Sequence, residues 1–248
     1  MKNRYQTKKE IFNMWQGYYK GIKEDPELYD IEFKKYTYIH SWHNSVRSIE
    51  RLKPIRKGMD ILDAGCGWGR ILLGVSEKYT GINFVAMDYQ QESIDTGMKI
   101  IGTESNGNKI KWVKDDITSM PFKNDSFDIV YSMRVFQHLE NPEQAAYEVL
   151  RVLKPGGKFL ISVQNKLCPL NLNYYSKTYS PKAVTKFFSK LKNIEIYSSS
   201  IDFFRPFNIR KNTAQSNKIY MSIEKFFENF PLINKFGGKV VVWGKKLK

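Results

Sequence analysis

The sequence predicts an α/β fold in which a mostly parallel sheet lies between layers of helices. Three observations carry that expectation. From residue 58 onward, apolar strand-like runs alternate with segments of helical period, the pattern that builds parallel sheets covered on both faces. The first run passes into a glycine triplet, "ILDAGCGWGR" at 61–70, where a strand turns into a helix. At 248 residues the chain can bury a full core, hiding roughly three-quarters of its unfolded surface.

The elements follow in order. "MDILDAG" reads as a buried strand, and "WGRILLGVSEKY" (68–79) as a helix with Ile71, Leu72 and Val75 on one face. "INFVAMD" (82–88) is the second strand, and "QESIDTGMKIIG" is the helix after it. "IKWVKDD" (110–116) and "FDIVYSM" (127–133) are strands three and four. "NPEQAAYEVLRVL" (141–153) is a helix with Pro142 near its first turn, ended by the stop signal "LKPGG". "KFLISVQN" (158–165) is strand five. The pattern then loosens. A helix over 180–191 is capped by Ser180 with Pro181 at its first position. "NIEIYSSS" is strand six, 201–218 reads as loop, 220–230 as helix and 238–246 as the last strand. Ahead of the sheet, 6–24 and 42–53 read as helices. No Gly/Ser-rich linker and no repeat appears. The expected organisation is one domain over 55–248 with a helical extension or lid over 1–54.

Composition excludes several classes. The longest apolar runs are a few residues, far short of the roughly 20 that span a bilayer. "MKNRYQTKKEIFNMW" is basic but has no continuous apolar core or cleavage site, so it does not read as a signal peptide. Cys66 and Cys168 are too few for a disulfide scaffold and lack metal-type spacing, which points to a reducing cytoplasm. The net charge of +15 is unevenly spread. Residues 1–57 carry 13 Lys+Arg against 7 Asp+Glu, residues 58–165 carry 11 against 14, and residues 166–248 carry 16 against 4. A basic C-terminal third attracts nucleic acid, anionic lipid or an anionic small molecule. Only 9 of the 40 cations are Arg, the residue suited to bidentate phosphate recognition, so the excess also fits a Lys-favouring composition.

In a parallel sheet, ligands sit beyond the carboxyl ends of the strands, where strand order reverses. Gly65, Gly67 and Gly69 stand at that place, after the first strand. Glycines there permit positive φ and close approach of backbone to ligand, although a bare strand-to-helix turn needs them too. Asp88 ends the second strand, 25 residues after Asp63, where an acid accepts from ribose hydroxyls. Asp116 follows the third strand, where a carboxylate faces an exocyclic amine. Three acids at three successive strand ends describe a nucleoside pocket. A dinucleotide loop runs G-x-G-x-x-G, whereas this one is G-C-G-W-G with Trp68 inside it. Asp63 just before the loop would repel a pyrophosphate and suits a ligand carrying an ammonium and a sulfonium.

"ILDAGCGWG", Asp88 and "DDITSMPFKNDSFDIVYSMRVFQHLENPEQAAYEVLRVLKPGGKFLISV" together resemble the class I S-adenosylmethionine-dependent methyltransferases of the small-molecule type. The resemblance covers roughly 55–165 well and the later strands more loosely. It implies a Rossmann-like three-layer sandwich with a seven-stranded sheet, in the order 3-2-1-4-5-7-6, the last strand antiparallel. It also implies S-adenosyl-L-methionine as cofactor and S-adenosyl-L-homocysteine as product. By the resemblance, Asp63 and the backbone of Gly65, Cys66, Gly67 and Gly69 hold the methionine part. Asp88 takes the ribose hydroxyls and Tyr89 packs on the adenine. Asp116 and Ile117 frame the adenine edge, and Met133 lies near the sulfonium.

Methyl transfer from a sulfonium is an in-line displacement, so the protein mainly aligns the acceptor and excludes water. A general base is needed only if the acceptor loses a proton. His138, in "VFQHLENPEQ", is the catalytic candidate by position, with a structural role as the alternative. His40 and His43 flank "SW" in the N-terminal segment and suit a lid or surface role. Tyr18, Tyr19, Tyr174 and Tyr175 are candidates for lining an acceptor pocket or for packing. "SMRV" follows strand four where nucleobase-amine methylation shows a D/N-P-P-Y-type tetrad. No Pro-Cys nucleophile and no cysteine trio is present, and Cys66 reads as a small loop packer. These features favour a small-molecule or lipid-type acceptor, with 166–180 and 201–236 as the segments expected to shape its site. An anionic acceptor is consistent with the basic flanks. The alternatives are an RNA methyltransferase using the basic C-terminal third and a non-catalytic cofactor-binding module. An aminopropyl transferase and a nicotinamide dehydrogenase rank below them.

Overall fold

β1 (Asp60–Ala64) lies at the centre of one eight-stranded sheet and pairs in parallel with β2 (Asn83–Asp88) on one side and β5 (Phe127–Met133) on the other. The computed structural model describes residues 36–168, 177–189, 191–192, 194–201, 222–223, 225–227, 229–230 and 235–247. β4 (Asn108–Lys114) pairs in parallel outside β2, and β6 (Leu153–Gln164) in parallel outside β5. β8 (Lys239–Lys246) runs antiparallel to β6, and β7 (Ile194–Ile201) pairs antiparallel with β8 at the edge. The seven expected strands therefore stand in the expected order, with the last one antiparallel. An eighth corrects the strand count: β3 (Glu104–Ser105) forms a hairpin on β4 and makes the order β3-β4-β2-β1-β5-β6-β8-β7. Strand order reverses at β1, which places the ligand crevice beyond Ala64.

Side chains alternate across the sheet and feed two cores. Leu62, Val130, Phe159, Ile161 and Val240 face one side, where α4 (Pro142–Val152) covers them with Ala145, Val149 and Val152. Ile61, Phe84, Tyr131, Leu160 and Val241 face the other. There α1 (Tyr36–Ile49) brings Val46 and Ile49, and α2 (Arg70–Ser76) brings Leu72 and Val75. α3 (Gln91–Ile100) follows β2 and contributes Ile94 to this second core.

Caps fix where the helices begin. Asn141 Oδ1 accepts from Gln144 N at 3.1 Å, with Pro142 in the first turn of α4. Ser180 Oγ accepts from Ala183 N at 3.3 Å at the start of α5 (Pro181–Lys186). Several boundaries move from their expected places. α1 runs over Tyr36–Ile49 rather than 42–53, α2 is shorter than 68–79, and α5 is shorter than 180–191. Residues 222–223 and 225–227 are helical within the expected 220–230 helix. The expected helix over 6–24, Tyr18, Tyr19, Tyr174, Tyr175 and the 202–218 loop lie outside the described residues.

α4 also fastens the segment that follows Asp116. Glu148 Oε2 accepts from Met120 N at 2.7 Å and pairs with Arg151 Nη2 at 2.7 Å. Arg151 in turn donates to Phe122 O at 2.7 Å and Met120 O at 2.9 Å. This partly buried clamp, in which each charge is satisfied by hydrogen bonds, sets the floor beside the strand ends.

Candidate active site

The glycine loop leaves β1 in the left-handed region: φ is +81° at Gly65, 57° at Gly67 and +85° at Gly69. A side chain at 65 would bring Cβ within 2.3 Å of Val135 Cγ2, and one at 69 within 2.7 Å of the Trp112 ring. The loop is thus wedged between the turn after β5 and the end of β4, and only glycine fits both its angles and its neighbours.

The backbone N–H groups of this loop point inward. Gly65 N and Cys66 N donate to Met87 O at 2.7 and 2.9 Å, Gly67 N to Asp88 Oδ2 at 2.8 Å, and Gly69 N to Cys66 O at 3.0 Å. A phosphate needs free N–H donors. With these four in use and the carboxylates of Asp63 and Asp88 beside it, the loop suits a cation better than a phosphate.

Asp63 is the sharpest feature of the site. It is buried at the end of β1, and its Oδ2 has no hydrogen-bond partner. Burial raises its carboxyl to about 8, helped by the nearby charge of Asp88 and opposed by the Tyr131 hydroxyl beside it. A group in that state lacks a positive partner. Asp88 lies across the loop, its Oδ2 held by Gly67 N and its Oδ1 by Gln90 N at 3.0 Å. Burial pushes its pKa up and the backbone hydrogen bonds pull it back. The Ser93 hydroxyl and the Tyr89 N–H add to that pull.

The remaining residues of the candidate set lie at or just past the neighbouring strand ends. Tyr89, beside Asp88, is half exposed. Asp116 lies just past β4, where its Oδ1 accepts from Thr118 N at 2.9 Å and Thr118 Oγ1 at 2.8 Å, a local turn that fixes the carboxylate. Ile117 is buried in the core with Met87 and Met120. Met133 ends β5 and packs against the second core. Cys66 is buried, its Sγ lies 3.1 Å from Gly67 O, and burial pushes its thiol well up, so it is an inert packer.

His138 sits in the turn after β5, over Phe136–His138, with Nε2 3.4 Å from Gln137 Nε2. Burial, aided by the charge of Arg134, lowers its pKa to about 4. The ring is neutral at physiological pH and a weak proton acceptor. His43 on α1 is also held below its usual pKa, by burial and by Lys78. His40 lies on α1 with its side chain outside the described residues.

Sequence reasoning missed Tyr131, Ser162, Gln164 and Lys239, all buried toward the same end of the sheet. A signal for two of them lay in "KFLISVQN", where Ser162 and Gln164 interrupt an apolar strand at every second position. Among the described residues, no group of His, Cys, Asp and Glu is arranged to hold a metal ion. No helix among them is long and apolar enough to cross a membrane.

Comparison with known proteins agrees with this geometry. Residues 62–161 match the methyltransferase domain family. A sterol 24-C-methyltransferase of Yarrowia lipolytica is 34% identical over 105 residues, covering 42% of this chain and 27% of that protein. The chain thus spans about a quarter of the length of that relative. A ubiquinone biosynthesis O-methyltransferase of Rickettsia bellii is 29% identical over 191 residues, covering 67% of this chain and 77% of that protein. Among solved structures, an S-adenosylmethionine-dependent methyltransferase of Thermotoga maritima superposes with a TM-score of 0.64 at 16% identity, over 91% of this chain and 97% of that one. The domain match over residues 62–161, the strand order and the acids at the strand ends agree with one another: this stretch of the chain is similar to the methyltransferase domain family.

Proposed function

We propose that this chain transfers a methyl group from S-adenosyl-L-methionine to a small-molecule acceptor. The observation that carries the reading is Asp63, a buried carboxylate with an unpartnered oxygen beside a loop whose N–H groups at 65, 66, 67 and 69 are in use. A cationic ligand supplies the partner that this oxygen lacks. When bound, the donor supplies a methyl already activated on a sulfonium.

The chain's own residues then bind, orient and exclude water. Asp63 and the loop at Gly65, Cys66, Gly67 and Gly69 take the methionine part. Asp88 accepts from the ribose hydroxyls, and Tyr89 packs on the adenine. Asp116 and Ile117 frame the adenine edge, and Met133 stands near the reacting centre. His138, held near pKa 4, serves as a positioning residue of the turn after β5 rather than as a base.

The relatives named above act, by their names, on a sterol and in ubiquinone biosynthesis, which supports a small-molecule acceptor. The excess of 16 Lys+Arg over 4 Asp+Glu in 166–248 supports an acceptor with anionic character. Incubation with methyl-labelled S-adenosylmethionine and size-fractionated cell extract tests the reading. Label in the small-metabolite fraction is expected. Label confined to RNA replaces the acceptor class, and cofactor binding without transfer makes the chain a binding module.

A further inference from the structure

The sheet face covered by α1 carries a buried polar strip, and strand register shows its path. Asp63 on β1 stands level with Tyr131 on β5. Two residues along β5, Met133 stands level with Ser162 on β6. Two residues along β6, Gln164 stands level with Lys239 on β8. Residues level across strands, or two apart along one, share a face. Asp63, Tyr131, Ser162, Gln164 and Lys239 therefore point to one side, and none is more than 1% exposed.

Most of this strip is unsatisfied. The Ser162 hydroxyl and both polar atoms of the Gln164 amide have no hydrogen-bond partner, while the Tyr131 hydroxyl lies beside Asp63. α1 closes over the far end, where Lys239 Nζ donates to Ser45 Oγ at 3.1 Å. Its covering face is polar as well, with Asn44, Ser45 and Ser48 all buried. Folded proteins rarely bury an amide with neither its donor nor its acceptor met. A run of such groups that starts at the proposed donor site marks a place where a ligand completes the bonds.

We propose that Ser162 and Gln164, beneath α1, hold the polar anchor of the methyl acceptor. The proposal rests on the methyl-transfer reading above. The Gln164 amide offers an acceptor oxygen beside two N–H donors, and Ser162 can do either. Their complement is a small molecule with a hydroxyl next to a carbonyl or carboxylate oxygen. The Lys239 Nζ donor at the end of the strip favours oxygen functions over an amine. Two strands across and two residues along set Ser162 roughly 12 Å from Asp63, the span an acceptor would bridge between its anchor and the methyl.

The test compares wild type with Gln164→Met and Ser162→Ala. Readouts are S-adenosylhomocysteine affinity, label transfer from methyl-labelled S-adenosylmethionine into the small-metabolite fraction, and ligand-free melting temperature. The proposal expects cofactor affinity within about twofold of wild type and transfer down at least tenfold. It also expects a melting temperature unchanged or higher by about 2–4 °C, because an unsatisfied group has been removed. Unchanged transfer in both variants overturns the proposal and leaves the methyl-transfer reading intact. Variants that both fail to fold, or melt lower with cofactor affinity lost, show a structural role and overturn it as well. A wild type that binds cofactor yet labels nothing overturns the methyl-transfer reading and this proposal with it.

Discussion

Asp63 combines two properties that conflict in a ligand-free protein: it is buried, and one of its oxygens has no partner. Its folded pKa of about 8 lies far above the value near 4 of an unfolded aspartate. Between those values the native state holds a proton that the unfolded chain has released, so this group's contribution to stability falls as pH rises through the window. Asp63→Asn removes that dependence. The variant is expected to melt higher than wild type at pH 7–8 without ligand and to bind S-adenosylmethionine at least tenfold more weakly, as differential scanning fluorimetry and calorimetry would show. The same linkage acts on binding. A cation beside Asp63 favours the ionised carboxylate, so donor affinity should rise from pH 6 toward 8, by up to about tenfold per unit. Affinity that is flat over that range would remove Asp63 from the contact. Asp88→Ala should cost about 1–3 kcal/mol of donor binding if its carboxylate receives the ribose hydroxyls. An unchanged dissociation constant would sink that assignment.

The elements carry the residues to their places through turns and clamps. Gly65→Ala places a methyl against Val135 at a φ of +81°, and should destabilise the fold by more than about 1 kcal/mol in denaturant unfolding. Val135→Ala in that background should recover part of the loss, because it relieves the contact and not the angle. Glu148→Ala releases both Met120 N and Arg151, and should cost about 1.5–3 kcal/mol in the same measurement. Much of this layer was legible from local pattern. The caps at Asn141 and Ser180, the glycine loop and the acids at 63, 88 and 116 announce themselves by residue type at a strand or helix end. The β3 hairpin was legible too, since Asn106 and Gly107 form a tight turn at φ 49° and 70°, yet its two-residue strands are too short to show a period. β6 begins at Leu153 rather than 158 because the ladder with β5 is irregular between Phe127 and Ile129, and Pro155 is tolerated at that break. Ser162 and Gln164 could not be read as site residues from one strand. Only register across β1, β5, β6 and β8 shows that they share a face with Asp63.

At the scale of the molecule, the architecture explains why these parts meet. Strand order reverses at β1, so β2 and β5 diverge beyond Ala64 and leave a crevice between their ends. In the proposed reading, Asp63, Asp88 and the glycine loop line the donor half of that crevice. The same reading gives the half toward β6 and β8 to the polar strip beneath α1. A slightly acidic core with 11 Lys+Arg against 14 Asp+Glu is flanked by basic segments, an arrangement that suits a cationic donor held at the centre and an oxygen-bearing acceptor approaching from the rim. The central claim is that these halves serve one methyl transfer. The most direct measurement is methyl-label transfer from S-adenosylmethionine to size-fractionated cell extract, run with wild type beside Asp63→Asn. The account predicts label in the small-metabolite fraction with wild type and its loss in the variant. No label in any fraction, or equal label from both proteins, would contradict it.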